Sequence, residues 1–221
     1  MRLAAAARIT GVKRFIFIST AKIFGEGADG PYRESSPANP GDAYSLSKWQ
    51  AEQQLLQQGV GSAMEVVILR PPLVYGIDAG ANFARLLQLA RLPVPLPFAG
   101  IDNQRAMIGI DNLVDLIKLC ISSPQAAERA WLCADDRVYS LASIITIIRR
   151  SLKMEPKLFR LPFAVQQIIK AMLGTGMAAR LYGDFALDCS ATRQHLDWSP
   201  PYSMEQILRA QLHQEALSNQ T

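Results

Sequence analysis

A tyrosine and a lysine stand four residues apart at the start of a helical stretch, in the segment PGDAYSLSKWQAEQQL (residues 40–55). Four residues is just over one helical turn, so Tyr44 and Lys48 are expected on the same helix face. A phenol beside an ammonium can exchange protons near neutral pH, which is what acid/base catalysis requires. The spacing alone is weak evidence, since roughly 0.2 such pairs are expected by chance in this composition. Whether the pair is catalytic must be judged from the elements that surround it.

The elements that would position this pair alternate between helices and strands. Apolar runs at 13–20 and 64–70 predict two buried strands, and a helical segment precedes each of them. Asp42 follows a polar loop and is placed to cap the helix that carries Tyr44 and Lys48. This alternation predicts an α/β fold with a parallel sheet.

Beyond Gly76 the alternation of helix and strand weakens. Helical periodicity and capping signals predict helices over 81–91, 111–123, 141–152, 162–174, 188–200 and 203–217, with a strand over 129–134. The proline-rich segment 92–100 is expected to form a loop or a short edge strand. The second half is therefore predicted to be a smaller, mixed α/β domain packed on the first.

Composition and charge exclude several classes of function. The net charge of +4 is not gathered into a basic block, so no nucleic-acid partner is predicted. Three widely separated cysteines and two histidines indicate reduced thiols in a cytoplasmic protein and no metal site. No apolar run approaches the ~18 residues of a membrane span. The remaining expectation is a soluble protein that binds a small molecule.

Three motifs follow one another in a significant order. Hydroxyl residues Ser19 and Thr20 end the first predicted strand, Tyr44 and Lys48 lie on the next helix, and the second strand ends in RPPLVYG (70–76). In open α/β sheets, ligands bind outside the carboxyl ends of the strands. The order therefore predicts Thr20, Tyr44 and the turn after the second strand around one crevice.

This ordered combination resembles the extended short-chain dehydrogenase/reductase family, especially its nucleotide-sugar epimerases and reductases. The matching stretches are VKRFIFISTAKIFGE, YSLSKWQAE, VVILRPPLVYG and RAMIGIDNLVDLI. The resemblance implies the C-terminal portion of a Rossmann-like parallel sheet with a smaller mixed α/β substrate domain. Residues 1–76 would then be the remaining part of the dinucleotide-binding domain, with 106–137 packing on it. Residues 77–221 would mainly bind the nucleotide-sugar.

The resemblance also implies roles for single residues. Tyr44 would exchange a proton with the sugar hydroxyl or ketone, and Lys48 would favour the ionised phenol and hydrogen-bond the nicotinamide ribose. Thr20 would hydrogen-bond the same sugar oxygen, although a strand-end hydroxyl often caps a backbone group instead. Pro71 and Leu73 would contact the nicotinamide of NAD or NADP through the backbone, in a turn that also simply ends a strand.

In the second half, two polar residues match family positions that contact the substrate. Asn82 would contact the diphosphate of the nucleotide-sugar, and Arg105 would grip a phosphate, for which a bidentate guanidinium is well shaped. A plain surface arginine remains an alternative for Arg105. Phe98 could stack on a base, but a core position is favoured. A homodimer is left open.

Three departures from the family pattern narrow this interpretation. The glycine-rich phosphate-binding turn is missing, so the chain is interpreted as truncated, with poor dinucleotide binding and sheet strands that lack neighbours. Ala21 and Lys22 replace the Asp-Glu pair with which dehydratases perform elimination. Leu73 stands where many hexose epimerases have asparagine, which leaves the sugar open. The interpretation is an NAD(P)-dependent 4-epimerase or 4-ketoreductase for a UDP-(amino)sugar, in bacterial surface polysaccharide precursor synthesis.

Two other functions remain as alternatives. Hydroxysteroid and dihydroflavonol reductases share the Tyr-x-x-x-Lys and RPxxVYG patterns, but Asn82 and Arg105 favour a diphosphate over those apolar substrates. The chain could also be a non-catalytic remnant that serves as an interaction domain. An amphipathic helix over 163–173 could indicate a membrane-surface role, although an apolar stripe is more often core or dimer interface.

Overall fold

The computed structural model describes residues 2–27, 30–77 and 79–218. Its helices are α1 (Arg2–Ile9), α2 (Ala43–Gly59), α3 (Ala81–Arg91), α4 (Ile110–Ser122), α5 (Leu141–Ser151), α6 (Phe163–Tyr182), α7 (Ser190–Leu196) and α8 (Met204–Ser218). Its strands are β1 (Arg14–Ile18), β2 (Glu65–Arg70), β3 (Leu73–Tyr75), β4 (Met107–Gly109) and β5 (Arg129–Leu132). Two short 3₁₀ helices cover Ala21–Phe24 and Pro124–Ala126.

The strands form two parallel sheets. β1, β2 and β5 make a three-stranded sheet in that order, with Ile16 opposite Val67 and Ile68 opposite Ala130. β3 and β4 make a parallel pair. The predicted α/β class with a parallel sheet is therefore confirmed, and β5 shows that the later part of the chain contributes a strand to the first sheet.

β2 is the central strand, and both of its faces are covered. Val67 and Leu69 belong to an apolar cluster with residues of α4, whereas Val66 and Ile68 pack with residues of α1 and α2. All four side chains are buried. This explains why the strand reads as a continuous apolar run, since a parallel strand covered on both faces has no polar side.

A separate apolar cluster joins α3, α5 and α8 to β3. Phe83, Ile145 and Leu208 are fully buried in it, and Phe98 packs against its surface. Phe98 is thus partly buried against the core rather than within it, which bears out the predicted core position only in part. The division of the chain at residues 76 and 77 into two domains stays a prediction.

The start of α2 is held by side chains close in sequence. The Asp42 carboxylate accepts a 2.7 Å hydrogen bond from the Ser45 backbone N–H, and the Ser45 hydroxyl contacts the Asp42 N–H in return. This reciprocal capping satisfies N–H groups that have no partner within the helix. The predicted Asp42 cap is confirmed, and it sets Tyr44 in the first turn of α2 and Lys48 one turn later.

The helix predicted over 162–174 extends further than the sequence indicated. α6 continues to Tyr182 past Gly174, whose φ of 72° interrupts the helical backbone. Ile168 and Met172 are exposed on it, so a core position of this stripe is wrong, while the alternative of a dimer interface stays a prediction. Within the described residues, no helix is both long and apolar enough to cross a membrane.

Candidate active site

A cavity of about 460 Å³ lies beyond the carboxyl ends of β1 and β2. Its lining contains Thr20, Tyr44, Leu73, Asn82 and Arg105, which are five of the seven site residues predicted from the sequence. The other two, Pro71 and Lys48, lie outside the lining. The cavity therefore brings predicted residues from both halves of the chain around one space, as the strand-end rule for α/β sheets leads one to expect.

Thr20 lies between β1 and the first 3₁₀ helix, with only 6% of its surface exposed. Its hydroxyl oxygen accepts a 3.2 Å hydrogen bond from the Lys22 backbone N–H. The backbone-capping role that the sequence left open for Thr20 is therefore confirmed. A hydroxyl that accepts one bond still has its own proton to donate, so this contact leaves Thr20 able to serve a ligand as well.

Tyr44 and Lys48 share one face of α2, as their spacing predicts. The Lys48 ammonium donates a 2.9 Å hydrogen bond to the Ile18 carbonyl. It lies 4.7 Å from the ring centroid of Phe17 and 5.9 Å from that of Tyr44. The cation is thus held beside the phenol, while Tyr44 itself is 54% exposed and open to the cavity.

The two residues predicted in the turn after β2, Pro71 and Leu73, differ in their position relative to the cavity. Pro72, Leu73 and Val74 line the cavity. The Pro71 carbonyl instead accepts a 2.8 Å hydrogen bond from the Ala21 backbone N–H. This bond joins the turn after β2 to the turn after β1, so Pro71 positions the wall without forming it.

Arg105 also lines the cavity and is largely covered, with 19% of its side chain exposed. Its guanidinium donates a 3.0 Å hydrogen bond to the Gly183 carbonyl and lies 3.7 Å from the Glu26 carboxylate. It also lies 5.8 Å from the ring centroid of Phe185. The alternative of a plain surface arginine is therefore wrong. Asn82 is exposed in the first turn of α3, on the same cavity.

A second cavity of about 310 Å³ adjoins the first and shares five lining residues with it: Lys22, Glu26, Leu73, Asn82 and Arg105. Its other walls are mainly apolar, from Leu86 and Ile144 among others. Together the two spaces suit a ligand that has both polar groups and an apolar part.

Two buried polar groups that support the site are not among the residues predicted from the sequence. Arg70, at the end of β2, donates a 2.7 Å hydrogen bond to the Glu52 carboxylate of α2. Both side chains are buried, so the pair ties the end of the strand to the helix that carries Tyr44. A charged residue that ends an otherwise apolar strand is the signal that could have identified this pair.

The second group is the pair formed by Tyr75, the last residue of β3, and Asp135. The Tyr75 hydroxyl donates a 2.5 Å hydrogen bond to Asp135, whose other oxygen accepts from Asn112 and from the Gly109 N–H. Burial raises the pKa of the Asp135 carboxyl, while these hydrogen bonds oppose that rise. Burial, followed by the Asp135 charge, raises the pKa of Tyr75 far above its usual value, which keeps the phenol neutral.

Three strand ends lack the features of a pyrophosphate-binding turn. β1 runs into the 3₁₀ helix Ala21–Phe24, and β2 is followed by Pro71 and Pro72, which have no N–H to donate. β4 leads directly into α4 at Gly109, but the Gly109 N–H is bonded to Asp135. The turns after β1, β2 and β4 therefore offer no glycine-rich connection to a helix. β3 differs, because Gly76 and Gly80 lie between it and α3, in a connection whose residue 78 is outside the described residues. Within the described residues there is no cluster of three or more metal-ligating side chains.

Comparison of sequences identifies relatives of this chain. The sequence profile of the NAD dependent epimerase/dehydratase family matches residues 1–138. UDP-glucose 4-epimerase of Vibrio cholerae is 38% identical over 210 residues, which cover 93% of this chain and 64% of that enzyme. A 4-epimerase of N-acetyl-alpha-D-glucosaminyl-diphospho-ditrans,octacis-undecaprenol from Escherichia coli O157:H7 is 27% identical over 162 residues, which cover 72% of this chain and 48% of that enzyme. The chain therefore spans less than two thirds of the length of either relative.

Solved structures share the fold at lower identity. UDP-glucose 4-epimerase of Thermotoga maritima, solved with UDP-glucose, matches with a TM-score of 0.74 at 18% identity, covering 98% of this chain and 68% of that one. UDP-glucuronic acid 4-epimerase of Bacillus cereus, solved with NAD, matches with a TM-score of 0.74 at 19% identity, covering 98% of this chain and 66% of that one.

Proposed function

This chain belongs to the NAD-dependent epimerase/dehydratase family, and from that membership we propose that it carries the proton-transfer and substrate-binding residues of a nucleotide-sugar 4-epimerase or 4-ketoreductase. The substrate class is a UDP-sugar or UDP-amino-sugar, for bacterial surface polysaccharide precursors. One observation carries the proposal. A single cavity is lined both by the hydroxyl-bearing residues Thr20 and Tyr44 and by the polar residues Asn82 and Arg105.

In this proposal Tyr44 moves the proton of the reacting sugar oxygen. Its phenol oxygen takes the proton from the sugar hydroxyl as that carbon is oxidised, and returns it when the ketone is reduced. The Lys48 ammonium lies near the Tyr44 ring and stabilises the negative charge of the ionised phenol. Thr20 donates its hydroxyl proton to the same sugar oxygen and holds it at Tyr44.

The residues around Tyr44 fit the nicotinamide end of a dinucleotide. Leu73 and Val74 line the cavity together with Tyr44, and the Lys48 ammonium has donors beyond the one it gives to Ile18. When bound, the nicotinamide supplies the hydride acceptor and donor. The turns after β1, β2 and β4 offer no glycine-rich site for the pyrophosphate, so these residues would hold the nicotinamide and its ribose.

The charges beside Thr20 favour epimerase or ketoreductase chemistry over dehydration. Elimination needs an acid and a base placed next to the catalytic hydroxyl. Ala21 is fully buried there, and Lys22 lies 3.7 Å from the Asp42 carboxylate. The Glu26 carboxylate faces Arg105 in the same way. Both carboxylates of the lining therefore lie 3.7 Å from a cation.

Calorimetric titration of the 221-residue protein with UDP-N-acetylglucosamine and UDP-glucose tests this function without the dinucleotide. Binding of at least one is expected, and Arg105→Gln should weaken it at least tenfold, since a charge-assisted hydrogen bond contributes about 1.5–3 kcal/mol. Arg209→Gln, at an exposed position of α8, is the matched control and should change nothing. Equal affinity of wild type and a folded Arg105→Gln variant would contradict the substrate assignment.

A further inference from the structure

α6 carries a row of exposed apolar side chains. Val165, Ile168 and Met172 are spaced three and four residues apart, so they lie on one helix face. We call these three residues the α6 ridge. Ile168 and Met172 are 60% and 83% exposed, and Val165 is 39% exposed. Single exposed apolar residues are ordinary, but a row on one face indicates an interaction surface.

The segment that leads into α6 is strongly basic, so the expectation that the charge is not gathered into a basic block is wrong for this segment. Residues 149–160 contain five basic residues and one acidic residue, a net charge of +4 that equals the net charge of the whole chain. The exposed members, which we call the basic cluster, are Arg150, Lys153, Lys157 and Arg160. Within the described part of the chain, none of these four makes an ion pair. Their charge is thus available to an external partner.

Arg149 is the one basic residue of this segment that is buried. It connects the segment to residues 92–94 by hydrogen bonds. Its guanidinium donates hydrogen bonds to the carbonyls of Leu92, Val94 and Lys157, at 2.9, 2.7 and 3.0 Å. Leu92 and Val94 are themselves exposed. Two further apolar side chains therefore lie next to the basic cluster, on a surface that is held rigidly.

We propose that the α6 ridge and the basic cluster dock together on an anionic lipid bilayer. The cations would contact the headgroups while the ridge enters the boundary between headgroups and acyl chains, as amphipathic interfacial helices do. A second copy of the chain is a poorer occupant. In a two-fold dimer the same patch meets itself, which would bring two basic clusters together. The proposal is independent of the substrate and of catalysis.

Co-sedimentation with lipid vesicles tests this docking. The protein should bind vesicles of phosphatidylcholine mixed with an equal amount of phosphatidylglycerol, and bind phosphatidylcholine alone at least tenfold more weakly. The double variant Ile168→Glu, Met172→Glu should reduce binding at least tenfold. Each of Lys157→Gln and Arg160→Gln should reduce it about fivefold, since one cation near an anionic surface contributes about 1 kcal/mol.

Matched controls separate the patch from a general effect of charge. Ile9→Glu changes an isoleucine of α1 that is 82% exposed, and Arg209→Gln removes an exposed cation of α8, so both should bind like wild type. Circular dichroism checks that each variant is folded. If the α6 double variant unfolds, the vesicle binding of Lys157→Gln and Arg160→Gln tests the proposal instead.

Two results would overturn the proposal. One is equal binding to both vesicle types, or binding that the α6 ridge and basic cluster variants leave unchanged. The other is a wild-type dimer that fails to bind vesicles and that Ile168→Glu converts to a monomer, which would identify a second copy as the occupant.

Discussion

The Lys48 ammonium donates its hydrogen bond to the carbonyl oxygen of Ile18, the last residue of β1. This contact joins α2 to the sheet and sets the cation between the rings of Phe17 and Tyr44. A long side chain held in this way loses little further freedom when a ligand binds, so its charge is ready beside the phenol.

The first prediction concerns proton transfer by Tyr44. In a longer chain that also carries a dinucleotide-binding turn, Tyr44→Phe should lower kcat by about two to four orders of magnitude, the usual contribution of a positioned acid/base. Affinity for the nucleotide-sugar should be nearly unchanged, because the ring and its packing remain. Steady-state kinetics and calorimetry measure the two effects separately. An active Tyr44→Phe enzyme would show that another group moves the proton.

The second prediction concerns the dinucleotide and the 221-residue chain. The turns after β1, β2 and β4 offer no glycine-rich site to a pyrophosphate, so several charge-assisted hydrogen bonds are expected to be lacking. NAD should therefore bind roughly a thousandfold or more weakly than to a protein with such a turn, and turnover should be absent. Calorimetric titration with NAD measures the affinity. Micromolar binding would mean that other residues form the phosphate site.

The third prediction concerns the buried ion pair of Arg70 and Glu52. Glu52→Gln leaves the Arg70 guanidinium buried without a counter-charge, which should lower the free energy of unfolding by about 3–5 kcal/mol. Adding Arg70→Met should restore much of this loss. Arg33→Gln, which breaks an exposed pair with Asp188, is the control and should cost less than about 1 kcal/mol. Urea unfolding measures the free energy of unfolding of all three variants. Equal losses for Glu52→Gln and Arg33→Gln would contradict the claim that burial makes the Arg70–Glu52 pair more sensitive.

The fourth prediction is a pH dependence at Asp135. Burial raises its pKa in the folded protein, so the folded state keeps a proton at pH values where the unfolded carboxyl has lost it. The contribution of this group to stability therefore falls as the pH rises from the unfolded pKa, about 3.9, through the folded value.

Tyr75→Phe removes a hydrogen bond to the ionised carboxylate and should raise the Asp135 pKa further. Its destabilisation should thus be smaller at acid pH and reach about 1–3 kcal/mol at neutral pH. Urea unfolding at several pH values measures this trend. Tyr202→Phe, at a half-exposed tyrosine, should show a small loss with no such trend. A Tyr75→Phe loss that decreases as the pH rises would contradict the assignment.

The fifth prediction concerns the thiols. Burial raises the pKa of Cys120 to about 11 and that of Cys189 to about 12, and it raises the pKa of Cys133 as well. At pH 8 all three should remain protonated and react slowly with a disulfide reagent, because the thiolate is the nucleophile. Rapid reaction of all three should appear only in denaturant. A fast thiol in the native protein would show that one of these pockets opens.

Local features of this protein could be predicted from the sequence because they depend on neighbouring residues. Asp42 caps α2 through Ser45, three residues away, and the four-residue spacing of Tyr44 and Lys48 places them on one face of a helix. The continuous apolar run of β2 predicted a covered parallel strand for a similar reason, since a strand of this kind has no polar side. The order of the motifs then indicated the family.

The contacts between residues that are far apart in the sequence were decided by the packing of whole elements. Arg105 meets Gly183 across 78 residues, Arg149 binds carbonyls near residue 92, and Tyr75 meets Asp135 across 60 residues. No spacing rule predicts such partners, because they depend on how whole elements pack. For the same reason, periodicity correctly found the apolar stripe of α6 but could not tell which side of the helix the core would cover. Only the tertiary structure showed that Ile168 and Met172 face outward.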